Sequence, residues 1–168
     1  MASLCLLVVF PFLMAYAASK DVLTMKIPNR VSVILVGAFV LLAWTAGLGW
    51  PELGSHAGAC ALVFAIGFAL YCAGVTGAGD VKLAAATALW LGFDALPDYV
   101  VNFSVLGGAL ALAILYMRSY PLPGFALGLP FAVHLHDAKV GTPYGVALSA
   151  SALVTCPSAP LWRMVLQG

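Results

Sequence analysis

Six long runs of this chain, residues 1–19, 31–51, 53–79, 83–93, 99–117 and 140–162, contain no Asp, Glu, Lys or Arg. Most are long enough for the roughly 20 apolar residues that a membrane-spanning helix needs. Lipid offers the backbone no hydrogen-bond partner, so such runs are expected to satisfy their peptide groups internally, as helices. With 8% charged residues and a mean hydropathy of +1.08, the chain has more apolar surface than a soluble domain of 168 residues could bury. The expectation is an all-α, polytopic membrane helix bundle with about six transmembrane helices. It forms a single domain over residues 1–168, since no linker, charge block or internal repeat divides it.

Two runs are irregular. Residues 81–93 would cover only about 20 Å at 1.5 Å per residue, so this span is expected to extend into the glycine-rich stretch before it or to sit in thinned bilayer. The sixth run holds Pro143 at its start and Pro157 near its end. A further uncharged stretch, 119–136, carries Pro121, Pro123, Gly124, Gly128 and Pro130. It is read as an interfacial loop from which Phe125, Leu127, Leu129 and Phe131 dip into the membrane, a re-entrant or seventh span being the alternative. Residues 15–17, Ala-Tyr-Ala, are similar to a signal-peptidase site, but no Lys or Arg precedes Lys20, so residues 1–17 are expected to stay as the first span.

Positive charge orients the bundle. Lys20, Lys26 and Arg30 fall between spans one and two, Lys82 between three and four, and Arg118 and Lys139 between five and six, leaving Arg163 as the exception. Those loops are expected to be cytoplasmic and the N-terminus outside. The net charge of +1 gives no reason to expect a nucleic-acid partner. Cys5, Cys60, Cys72 and Cys156 have no paired spacing and are read as buried structural thiols. Trp44, Trp50, Trp90 and Trp162 are read as an interface belt.

Within this apolar chain, residues 74–82, Gly-Val-Thr-Gly-Ala-Gly-Asp-Val-Lys, place a carboxylate at the membrane edge after three glycines. An ionisable residue at such depth is read as functional, and glycines admit close approach of a second backbone. Asp21, followed by Lys26-Ile27-Pro28-Asn29-Arg30, is the natural partner. Asp21 ends span one and Asp80 opens span four, so both fall on one side whichever way the bundle is oriented. They either cap helix ends in solvent or share a site, and the sequence leaves both readings open. Two carboxylates sharing a site suffice to hydrolyse a peptide bond without a covalent intermediate. His134, His136 and Asp137 are read as a polar turn rather than a metal site, since no fourth ligand accompanies them. His56 is expected on the opposite side from both aspartates.

These residues resemble a known family. Gly77-Ala78-Gly79-Asp80-Val81-Lys82 is similar to the G-x-G-D-x-K segment of type IV prepilin peptidases, Asp21 with Ile27-Pro28-Asn29 resembles the first-aspartate segment, and Tyr144-Gly145 after Pro143 resembles the Pro-Tyr-Gly of the last helix. The resemblance implies an aspartic endopeptidase of the bacterial inner membrane that removes the short leader of prepilins on the cytoplasmic side. It also implies Asp21 and Asp80 as the catalytic pair, Gly77, Gly79 and Lys82 as substrate or structural supports, and no cofactor. The large cytoplasmic insertion of bifunctional relatives is missing between spans one and two, as in the short forms that serve Flp (tight-adherence) pilins and pseudopilins. A noncatalytic membrane subunit or small transporter with proton- or cation-binding aspartates is the alternative, and a third is a G-x-G-D protease cutting within a substrate helix. Lys82 lies two residues from Asp80, so the two side chains do not face each other on a helix; its plain role is to snorkel to lipid phosphates. The helix dipole favours charge on Asp80, at a helix N-terminus, over Asp21, at a C-terminus, so Asp80 is expected to be the base and Asp21 the acid. Lys20 and Lys26 partly offset that bias.

Overall fold

The computed structural model describes residues 8–124, 128–138 and 140–167, with side chains through Met164 at the C-terminal end. The first seven residues of span one, including Cys5, together with Phe125, Leu127 and Lys139, lie outside the described residues. Helices make up the ordered structure, and no strand occurs among the described residues. In chain order they are α1 (Phe10–Thr24), α2 (Asn29–Ala46), α3 (Trp50–Cys72), α4 (Ala78–Arg118), α5 (Pro130–His136), α6 (Tyr144–Thr155) and α7 (Pro160–Gln167). A 3₁₀ turn, Cys156–Ser158, joins the last two.

Local chemistry sets the boundaries. Pro28 disfavours helical backbone at Ile27 and so separates α1 from α2. Gly47 ends α2 in a left-handed cap (φ 66°). The carboxylate of Glu52 accepts the Gly49 N–H at 2.9 Å and so closes the start of α3.

Helices α2, α3 and α4 are long and apolar enough to cross a membrane. In α3 only 11% of the most apolar window is buried, which leaves Leu62, Phe64, Ile66 and Phe68 facing outward as a lipid-facing surface needs. The sixth uncharged run does not form one helix. Pro157 and Pro160, which lack an N–H to continue the ladder, divide it into α6, the 3₁₀ turn and α7. Helix α6 spans 12 residues and α1 spans 15. The proline-rich stretch read as a loop also contains the short helix α5, with Pro130 in its first turn.

Helix α4 is 41 residues long and breaks at Gly92 (φ 66°, ψ −178°). On a straight helix rising about 1.5 Å per residue, Asp80 and Gly107 would stand roughly 40 Å apart. Yet Asp80 shares a cavity with Thr142, while a Cβ on Gly107 would lie 3.7 Å from Ala147 Cβ and 3.8 Å from Tyr144 Cδ1. The two halves, 78–91 and 93–118, therefore fold back on one another. Two consecutive residues of α3 satisfy the polar groups at the bend. His56 Nδ1 pairs at 2.8 Å with Leu89 O, the carbonyl that Phe93 N–H would have used in an unbroken helix. Ser55 Oγ accepts the Phe93 N–H at 3.4 Å. A carbonyl only accepts, so Nδ1 carries the hydrogen.

The core lies between α1, α2 and the first half of α4. Trp90 is fully buried, donates from Nε1 to Leu35 O at 3.0 Å, and packs 4.9 Å from the Phe10 ring and 6.1 Å from Phe39. Trp162 meets Phe10 edge to face, with ring centroids 5.9 Å apart. These two tryptophans are core anchors and not members of an interface belt, because each faces helices that sequence position does not reveal. Trp44 and Trp50, at 86% and 88% exposed, face outward near the end of α2 and at the start of α3. Among the thiols, Cys156 is buried, Cys60 partly so, and Cys72 exposed, contrary to its reading as a buried thiol.

Candidate active site

Asp21 lies one turn from the end of α1, where its carboxylate is buried at 5% exposure. Its Oδ2 accepts the backbone N–H of Gly145 at 2.7 Å. Gly145 lies in the first turn of α6, behind the cap residue Pro143, so Asp21 sits at the positive end of a second helix's dipole. From sequence alone Asp21 stands at the C-terminus of its own helix, where the dipole disfavours its charge. Contact across the fold removes that bias, because the donor comes from 124 residues away in the chain.

Just past Asp21 the chain turns at Met25 (φ 51°), the only non-glycine with positive φ among the described residues. Met25 N–H closes on Asp21 O at 2.8 Å. The conformation is sparsely populated for a side chain of this size, and its position beside a carboxylate fits the tendency of strain to gather at functional sites. The turn directs Ile27 between two glycines. A Cβ on Gly79 would lie 3.2 Å from Ile27 Cβ, and one on Gly145 would lie 2.7 Å from Ile27 Cδ1 and 2.8 Å from Asp21 Oδ2.

Asp80 occupies the first turn of α4, behind the cap residue Gly77. The Gly77 amide faces its carboxylate, and a Cβ on Gly77 would crowd Asp80 Oδ2 at 3.1 Å. Each glycine of the G-x-G-D segment thus makes room for one neighbour: Gly77 for the aspartate itself, Gly79 for Ile27.

Asp21 and Asp80 face a single cavity of about 460 Å³, close enough for their charges to interact. Its other walls are the Met25–Ile27 turn, the Gly77–Gly79 backbone, and Gly141 with Thr142 from the segment before α6. Two acids and three small residues, Gly77, Gly79 and Gly141, thus line one cavity.

Of the supports expected from sequence, Gly77 and Gly79 line this cavity, whereas Lys82 does not. Lys82 Nζ instead donates to Asn29 Oδ1 at 3.0 Å and so ties the start of α4 to the start of α2. Asp94 and Asp98 are exposed residues beyond the Gly92 bend, and His56 sits at that bend, away from both Asp21 and Asp80. His134 and His136 lie on α5, and no group of three potential metal ligands is gathered among the described residues. The sequence reading did not foresee Gly145 as a donor to Asp21, or Gly141 and Thr142 as a wall. Pro143-Tyr144-Gly145 was visible as a pattern, but the direction in which its amide points was not.

The sequence model of the type IV leader peptidase family matches residues 8–112, a stretch that includes both aspartates and the Gly92 bend. No curated protein and no solved structure matches the chain.

Proposed function

Since the chain belongs to the type IV leader peptidase family, we propose that it is an aspartic endopeptidase using Asp21 and Asp80, which cleaves the short leader of Flp-type prepilins and pseudopilins on the cytoplasmic face of the bacterial inner membrane. The observation that carries this reading is the single cavity onto which both carboxylates open. In the proposed reaction, one carboxylate takes a proton from water as the hydroxyl oxygen bonds to the scissile carbonyl carbon. The other carboxyl group then gives its proton to the departing nitrogen as the C–N bond breaks. Two negative charges around one cavity repel, and a shared proton relieves this, so the pair titrates as a unit. Each aspartate faces a backbone amide at a helix N-terminus, so the dipole argument no longer separates base from acid.

Co-expression with a short Flp-type precursor should convert it to a mature form that migrates faster on a gel. Precursor that persists unprocessed beside abundant, inserted protein would count against this substrate class.

The bundle is read as six crossings, with α4 contributing two, one on each side of Gly92. On that reading, reporters fused after Gly74 and after Arg118 should read cytoplasmic, and one fused after Trp50 should read outside. A cytoplasmic signal at Trp50 would overturn the orientation.

A further inference from the structure

Arg118 is the last residue of α4 and is partly buried. Its guanidinium group holds three main-chain carbonyls: Nε donates to Leu135 O at 2.8 Å, and one terminal nitrogen donates to Val140 O at 2.9 Å and Gly141 O at 3.4 Å. The first carbonyl belongs to α5 and the other two to the irregular segment that leads into α6. Val140 N–H reaches Asp137 O at 3.0 Å and Tyr144 N–H reaches Thr142 O at 2.8 Å. Gly141 and Thr142 form a wall of the cavity, and shortly after them Gly145 gives its N–H to Asp21 at 2.7 Å. There is no slack at that contact, since even a methyl group on Gly145 would collide with Asp21 and Ile27.

We infer that Arg118 is a positioning residue of the candidate site: by clamping the carbonyls at 135, 140 and 141 it sets the segment that aims the Gly145 amide at Asp21. A planar guanidinium suits this task because its N–H groups are fixed in direction and its charge does not titrate. The amide it aims is a donor to an anionic oxygen, so it acts on the charged form of Asp21. This inference rests on the aspartic peptidase reading above.

The test uses the full chain in lipid, with an Flp-type precursor as substrate, and compares Arg118→Gln and Gly145→Ala with Asp21→Asn, Asp80→Asn and the parent. Arg118→Gln should lower kcat about 10- to 100-fold, the range for losing a hydrogen bond to a charged group, with KM changed less than about threefold. The pH profile of kcat should also move to higher pH, because a carboxylate deprived of a donor to its ionised form holds its proton more tightly. Gly145→Ala should move the profile in the same direction. Infrared titration of labelled aspartate should show the same displacement without reference to turnover. Two results would overturn the positioning role: a parental kcat and profile in Arg118→Gln, or lower kcat with a profile and infrared titration unchanged in both variants. Should Asp21→Asn keep full activity, the dyad reading itself falls. An inactive Asp21→Asn beside a parental Arg118→Gln removes the positioning role alone.

Discussion

Asp21→Asn and Asp80→Asn should each abolish leader cleavage, lowering kcat by at least about three orders of magnitude, while the protein stays inserted at normal abundance. The size of the effect follows from the chemistry. An amide neither takes a proton from water nor gives one to a departing nitrogen at neutral pH, and residues that act as a unit lose nearly everything when one member is removed. The fold should tolerate both changes. An asparagine oxygen at position 21 can still accept the Gly145 N–H that Asp21 Oδ2 accepts at 2.7 Å. One at position 80 can still face the Gly77 amide. Asp94→Asn and Asp98→Asn provide the contrast, since both side chains are exposed beyond the Gly92 bend and their loss should leave processing intact. The readout is the fraction of precursor converted at fixed enzyme level, and full conversion by either dyad variant would remove the proposed mechanism.

What the sequence made legible here follows the range of each signal. Apolar runs set by lipid are local, so the all-helical class could be read directly, and α2 and α3 begin close to the start of their uncharged runs but stop before the run ends, at Ala46 and Cys72. The placement of Asp21 and Asp80 on one side followed from counting spans, which needs no side-chain detail. Long-range contacts were invisible. Trp90 could not be recognised as a core residue without knowing that Leu35 O, Phe10 and Phe39 surround it. The dipole argument for Asp21 rests on its own helix alone, and the donor from the first turn of α6 cancels the bias it implies. The interruption of the sixth run near its end is legible from Pro157, and in the fold the missing N–H groups of Pro157 and Pro160 divide the run into α6, a 3₁₀ turn and α7.

Gly92→Ala should give the largest loss of stability of any single substitution outside the cavity, roughly 2–4 kcal/mol, combining backbone strain with a steric clash. At φ 66° and ψ −178°, Gly92 occupies a region that residues with a Cβ almost never enter. The added carbon would also lie 3.1 Å from His56 Cε1 and 3.3 Å from His56 Nδ1. The imidazole cannot retreat without cost, since its Nδ1–H is held by Leu89 O at 2.8 Å and its ring packs 5.2 Å from Phe39. The alanine chain therefore has two routes. It can keep the bend and displace His56, leaving a buried carbonyl without its donor, or straighten toward regular helix and separate the two halves of α4. His56→Ala should cost less than Gly92→Ala, because it forfeits the hydrogen bond and leaves a cavity but permits the backbone conformation. Ser55→Ala should cost least, since Ser55 holds Phe93 N–H at a longer 3.4 Å near the surface. Denaturant-induced unfolding in mixed micelles, followed by tryptophan fluorescence from the buried Trp90 and Trp162, should rank the three in that order. A Gly92→Ala midpoint equal to the parent's would mean that the chain reverses direction without help from this glycine.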